Sequence, residues 1–205
     1  MTDAQWAVVE RILRSTAQEY RQLVGGSEPS SQLCCPPKGV ELRRDSEQEF
    51  RFLLCRQLEL AKDFYYSVES PTRNNYGKGR RGNVDVSLWQ SPPQGKANQS
   101  PVFNLELKSS NPTAASIRND LNKLAQEPSR GIFCLAMPDD NWQQKFKKVQ
   151  KRLIDEMRNS TPTSQQIGAS TGLGVFITLP QKGEFFHHDH DWPSIAHWVS
   201  TIEIN

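Results

Sequence analysis

The sequence predicts an α/β fold: a mixed central β-sheet flanked by helices, with an N-terminal helical extension. Two observations predict it. First, NVDVSLW (83 to 89) and VFNLELKS (102 to 109) alternate apolar and polar residues with the period of a half-buried strand, and a loop rich in Pro and Gly joins them. Second, GIFCLAM (131 to 137) and LGVFITL (173 to 179) are continuous apolar runs. Such runs suit strands covered on both faces, and helical patterns separate them as crossovers would.

The elements follow in order. Residues 3 to 24 repeat Val9, Ile12, Leu13, Tyr20 and Leu23 at helical spacing, and Gly25-Gly26 ends the pattern. A Pro/Ser-rich loop from Gly25 to Gly39 then separates this helix from the main body, which predicts an N-terminal helix and loop over 1–39 and a domain over 40–205. A second helix starts near Ser46, where Ser46-x-x-Glu49 forms a capping box. Phe50, Leu53, Leu54 and Leu58 make its buried stripe. Glu47 falls on the stripe's edge, and Glu49 points away from it. DFYYSVES (63 to 70) is a strand by its aromatic and β-branched content. A helix over 113 to 126 carries Ala114, Ile117, Leu121 and Leu124, and one over 140 to 158 carries Trp142, Phe146, Val149, Leu153 and Met157. The tail from Asp191 to Asn205 holds a short helix or strand.

Composition narrows the function classes. The chain has 205 residues, 36% hydrophobic and 23% charged, enough for one core of good size. A net charge of +2 argues against a polyelectrolyte binder, so nucleic-acid affinity would need local basic patches. No apolar run approaches the ~18 residues of a membrane span, and no membrane partner is expected. The N-terminus MTDAQWAVVERILR lacks the apolar block of a signal peptide, so a cytoplasmic location is expected. Cys34, Cys35, Cys55 and Cys134 form no C-x-x-C pair, which excludes a zinc ribbon. Cys34 and Cys35 sit in a Pro-rich loop, and Cys55 and Cys134 read as buried thiols.

Chemistry concentrates on the polar faces of the two alternating strands. Asp85 lies opposite Val84 and Val86, and Glu106 and Lys108 lie opposite Leu105 and Leu107. A solvated face with a weak ion pair accounts for such residues. So does a site. If the strands pair as a hairpin, Asp85 and Glu106 stand side by side, and two such carboxylates repel unless a proton or cation relieves them. Mg²⁺ takes oxygen ligands from one or two carboxylates and keeps several waters.

Asp85 followed by Glu106-Leu107-Lys108 resembles the D…(D/E)-x-K signature of the PD-(D/E)XK nuclease superfamily, which includes many restriction endonucleases. The resemblance spans roughly Glu41 to Leu179, including the order helix, three strands, helix, strand. Asn83-Val84 stand where the family name has proline. Glu47 matches an acid often found on the first helix of these enzymes, and RNDLNKL (118 to 124) resembles the helix after the motif. The resemblance implies a restriction-endonuclease-like core and a Mg²⁺-dependent endonuclease acting on DNA, with Mn²⁺ as a substitute and a restriction or defence role within its range. Asp85, Glu106 and the Leu107 carbonyl would hold metal, and Lys108 would assist the nucleophilic water. Glu47, Asp85, Glu106 and Lys108 form the expected catalytic set. Cleavage would leave a 5′-phosphate and a 3′-hydroxyl. A double-strand cut needs two active sites, which makes a homodimer or a partner protein an expectation. The same fold also serves catalytically silent binding or regulatory subunits and RNA-cleaving members.

Three further stretches carry alternative readings. NNYGKGRRGN (74 to 83) reads as a flexible turn with solvated charges, or as a phosphate-contacting loop through Lys78, Arg80 and Arg81. Lys145, Lys147, Lys148, Lys151 and Arg152 read as the wet face of a helix. HHDHDW (187 to 192) has the composition of a metal tract but no standard ligand spacing, and reads as a polar loop. Lys123, Asn119 and Asp120 are either site residues or ordinary helix surface.

Overall fold

A computed structural model describes residues 3–25, 37–38, 42–43, 47–76, 80–94, 99–109, 111–137, 142–159, 173–178, 183–188, 197 and 199–200, with the side chains of most of them. Four helices, α1 (Asp3–Gly25), α2 (Glu47–Ala61), α3 (Ala114–Gln126) and α4 (Trp142–Asn159), surround a six-stranded sheet. Its strands are β3 (Tyr65–Tyr76), β4 (Arg80–Trp89), β5 (Phe103–Ser109), β6 (Arg130–Ala136), β7 (Leu173–Thr178) and β8 (Gly183–His188), ordered as in the chain. The short strands β1 (Pro37–Lys38) and β2 (Leu42–Arg43) pair separately. The sheet is mixed: β3–β4, β4–β5 and β7–β8 are antiparallel, whereas β5–β6 and β6–β7 are parallel across the crossover helices.

Period-2 alternation divides the sheet between two cores. On one face Val86, Leu88, Phe103, Leu105, Leu107, Ile132, Cys134 and Ala136 pack with α1 and α2. On the other, Phe133, Leu135, Val175 and Ile177 pack with Ile117, Leu121 and Leu124 of α3 and Phe146, Val149, Leu153 and Met157 of α4. α1 packs directly into the first core. Trp6 meets Phe103 edge-on at 4.9 Å, and the Arg130 guanidinium lies 5.1 Å from the Trp6 ring.

Local chemistry sets the ends of α3. Thr113 caps it by accepting the Ser116 N–H at 3.1 Å, and extended Glu127 stops it. The Glu127 carboxylate then accepts the Arg73 N–H at 3.0 Å with both oxygens, tying β3 to the helix end.

Several expectations are corrected. The glycine-rich stretch is less of a loop than its composition suggests. Asn75 and Tyr76 belong to β3 and pair with Arg81 and Arg80 of β4. His187 and His188 are strand residues of β8, paired with Gly174 and Leu173, rather than the start of a polar loop. Glu49 is buried; its expected partner Ser46 lies outside the described residues. Cys134 is buried as expected, whereas Cys55 is half-buried, and both are free thiols. Cys34, Cys35 and residues 189 to 192 lie outside the described residues. On α4, Lys147, Lys148 and Lys151 are exposed, as a wet face requires, whereas Lys145 and Arg152 are half-buried and Arg152 donates to Asn111 Oδ1 at 2.7 Å. Among the described residues no helix is long and apolar enough to cross a membrane.

Candidate active site

The polar residues of β4 and β5 meet where the two strands part. Their ladder runs Leu88↔Phe103, Ser87↔Asn104, Val86↔Leu105 and stops there. Continued by one step, it would pair Asp85 with Glu106. Instead the Asp85 carboxylate takes over the backbone's role: its Oδ2 accepts the Leu107 N–H at 2.7 Å. The β3 ladder is interrupted at the same level. Val68↔Val86 and Ser70↔Val84 are paired, but Glu69 between them has φ 53, in the left-handed region. That conformation costs a residue with a Cβ about 1–2 kcal/mol. Asp85 therefore sits at a break in both ladders.

Two helices close on this break. Arg51, on the second turn of α2, is buried and ion-paired with Glu69, and its Nη1 lies 3.8 Å from Asp85 Oδ1. Glu47, the first residue of α2, has Oε2 3.6 Å from Lys108 Nζ. From α3, Asp120 and Lys123 project together, as an i,i+3 pair on a helix does. Asp120 joins two lysines: Oδ2 lies 2.9 Å from Lys108 Nζ and Oδ1 lies 3.1 Å from Lys123 Nζ. Lys123 Nζ is also 2.5 Å from Glu106 Oε1 and donates to the Asn83 carbonyl at 3.1 Å. Lys108 Nζ donates to its neighbour's carbonyl, Leu107 O, at 2.9 Å. The N–H and C=O of one strand residue point to the same side, so both polar groups of Leu107 face the gap beside Asp85.

Of the residues singled out from sequence, Glu47, Asp85, Glu106, Leu107 and Lys108 come together. Lys78 lies outside the described residues, and for Arg80 and Arg81 the description covers their strand backbone. Arg51 and Glu69 were not anticipated. Asp120 and Lys123, which the sequence places on either the site or the helix surface, both join this cluster. Asn119 is exposed.

The electrostatics follow from burial and crowding. Glu106 is 1% exposed. Burial first, then Asp120 and Asp85, push its carboxyl up to about 9 against the pull of Lys123. Burial also raises Glu47, opposed by Lys108 and aided by Asp85. For Lys108, burial pulls downward, but Asp120, Glu47 and Asp85 outweigh it and hold the ammonium above its usual range. Lys123 is raised likewise, against burial, by Glu106 and Asp120. Around Asp85 the carboxylates of Glu47, Glu69, Glu106 and Asp120 face Lys108, Lys123 and Arg51, so among the described residues acids outnumber cations.

The donor set suits a hard divalent cation. Asp85, Glu106 and the Leu107 carbonyl offer oxygen donors at the strand break, and the local excess of acid favours added positive charge. Among the described residues, no three Asp, Glu, His or Cys side chains converge as a ready ligand group. A set of two carboxylates and one carbonyl needs only two such side chains.

Comparison with known proteins returns no matching family model, no matching curated protein and no matching solved structure.

Proposed function

We propose that the chain is a metal-dependent nuclease of the PD-(D/E)XK type that hydrolyses phosphodiester bonds in DNA. One observation carries the reading. Asp85 is fixed against the Leu107 N–H at the parting of β4 and β5, with Glu106 and Lys108 on either side of that residue. The α/β architecture and the mixed sheet are compatible with it.

Asp85, Glu106 and the Leu107 carbonyl would hold the ion. When bound, Mg²⁺ or Mn²⁺ supplies charge stabilisation at a phosphoryl oxygen and lowers the pKa of a water. The protein's own groups do the rest. Arg51 and the Leu107 N–H hold Asp85 in one orientation. Lys108 stays an ammonium because its neighbours raise it, so it donates to the attacking water or to a phosphate oxygen and does not serve as a base. Glu47, raised by burial and in contact with that ammonium, is placed to take a proton. Hydrolysis joins the water oxygen to phosphorus and breaks the bond to the 3′ oxygen.

A second reading is favoured by one feature. The Glu106 carboxylate and the Leu107 carbonyl already engage lysines. A catalytically silent, nucleic-acid-binding member would keep such lysine-paired donors.

The test is incubation of the purified chain with supercoiled plasmid in Mg²⁺ or Mn²⁺, beside an EDTA control, Asp85→Ala and Lys108→Ala, with single-stranded DNA and RNA in parallel. Nicking or linearisation that needs metal and falls at least ~100-fold in both variants supports the nuclease. Binding of DNA without cleavage under any of these conditions supports the silent member. Cleavage of RNA alone moves the substrate.

A further inference from the structure

We propose that the Lys123 ammonium is a built-in cation occupying the second cation position of the acid cluster, so that the site takes one divalent ion per chain and not two; the inference rests on the nuclease reading above. The Lys123 Nζ environment carries it. An ammonium has three N–H donors and no acceptor. Here three oxygens from three elements surround it: Glu106 Oε1 from β5 at 2.5 Å, Asp120 Oδ1 from α3 at 3.1 Å and the Asn83 carbonyl from β4 at 3.1 Å. Two carboxylates and a carbonyl are the ligands a hard cation takes. Lys123 supplies that cation from the protein.

The arrangement is anchored. Asp120 holds Lys123 through Oδ1 and Lys108 through Oδ2, which fixes both ammonium groups relative to Glu106. Glu106, at 1% exposure, already has a positive neighbour in Lys123 without metal. Paired ions of two-metal sites stand about 3.5–4 Å apart and share carboxylates. A resident ammonium on Glu106 and Asp120 uses those oxygens and repels a second dication. Asp85 differs: its cation, the Arg51 guanidinium, stands off at 3.8 Å, and among the described residues no lysine forms an ion pair with it. The single divalent ion therefore belongs on the Asp85 side.

The experiment is a Mn²⁺ titration of the full chain, with free ion read by electron paramagnetic resonance, on the wild type, Lys123→Met and Lys123→Arg. The expected result is one ion per chain for the wild type and Lys123→Arg, and two for Lys123→Met. Two ions in the wild type, or one ion of unchanged affinity in Lys123→Met, overturns the inference. A wild type that binds no Mn²⁺ overturns the metal-site reading itself, a different failure from the same titration. Should Lys123→Met unfold without metal, circular dichroism decides: Mn²⁺ restores the fold if it replaces the lost ammonium, and failure to restore it at saturating ion counts against the proposal.

Discussion

Asp85 and Glu106 are adjacent acids with opposite surroundings. Asp85 accepts a backbone N–H and faces a guanidinium. Glu106 is sealed from water, and burial with its acidic neighbours raises it to about 9. An acid whose folded pKa lies above its ordinary value of 4.5 favours the fold most when protonated. Its contribution is full below that ordinary value and is lost as the pH rises toward about 9. In EDTA, the melting temperature of the wild type should therefore fall between about pH 6 and about pH 9 more steeply than that of Glu106→Gln, which has nothing to titrate. Parallel melting profiles for the two proteins would assign the slope to other groups. Added Mg²⁺ should flatten the wild-type profile, because a cation at the site favours the ionised form.

At the scale of elements, Arg51 is the tie that brings α2 to the break in β3 and β4, through Glu69 on one strand and Asp85 on the other. Arg51→Met keeps the stem's packing and removes both ion pairs. Glu69 is about half exposed and loses little, whereas Asp85 is mostly covered and is left less well compensated. A loss of about 1–3 kcal/mol in chemical denaturation is expected, together with a drop in metal affinity. Unchanged metal binding would show that Arg51 only braces the fold. Arg51 also marks a limit of sequence reading. The strand pair was legible because Val84, Val86 and Leu88 alternate with Asp85 and Ser87, and period 2 then fixes which residues share a face. The placing of Glu47 followed from helical period in the same way. Arg51 lies on the buried side of α2, but its partner Glu69, at φ 53, is in the left-handed region, outside any strand geometry that alternation assumes. Asp120 and Lys123 share one face of α3 by spacing alone, yet nothing in that spacing says which strands the face meets. The far half of β3 is Pro71-Thr72-Arg73-Asn74-Asn75-Tyr76, a poor strand by propensity. It is held extended by β4 and by the Glu127 carboxylate on the Arg73 N–H.

For the whole molecule, the question is whether α1 is an appendage or a part of the fold that builds the site. A Pro/Ser-rich stretch follows it in sequence, the composition of a linker. Its apolar side chains argue otherwise: Trp6, Val9, Ile12, Leu13, Ala17, Tyr20 and Leu23 are all buried in the core that covers one face of the sheet. Tyr20 meets Phe50 of α2 edge-on at 5.4 Å, and Arg56 of α2 reaches Glu19 at 2.7 Å. α2 is thus held from α1's side while its Glu47 and Arg51 enter the site. Burial of a large apolar side chain stabilises by about 1.5–3 kcal/mol, so the set on α1 contributes on the order of 10 kcal/mol before entropy. A domain's whole stability is about 5–15 kcal/mol. A chain lacking residues 1–25 should therefore lose its cooperative melting transition, bind a hydrophobic dye and lose affinity for Mn²⁺, although no residue of α1 touches the acid cluster among the described residues. A truncated chain that melts sharply and still binds the ion would make α1 a dispensable cover. Co-expression of α1 as a separate segment is the sharper form of the test: if its role is to complete the core, supplying it in trans should restore the transition and the ion site together.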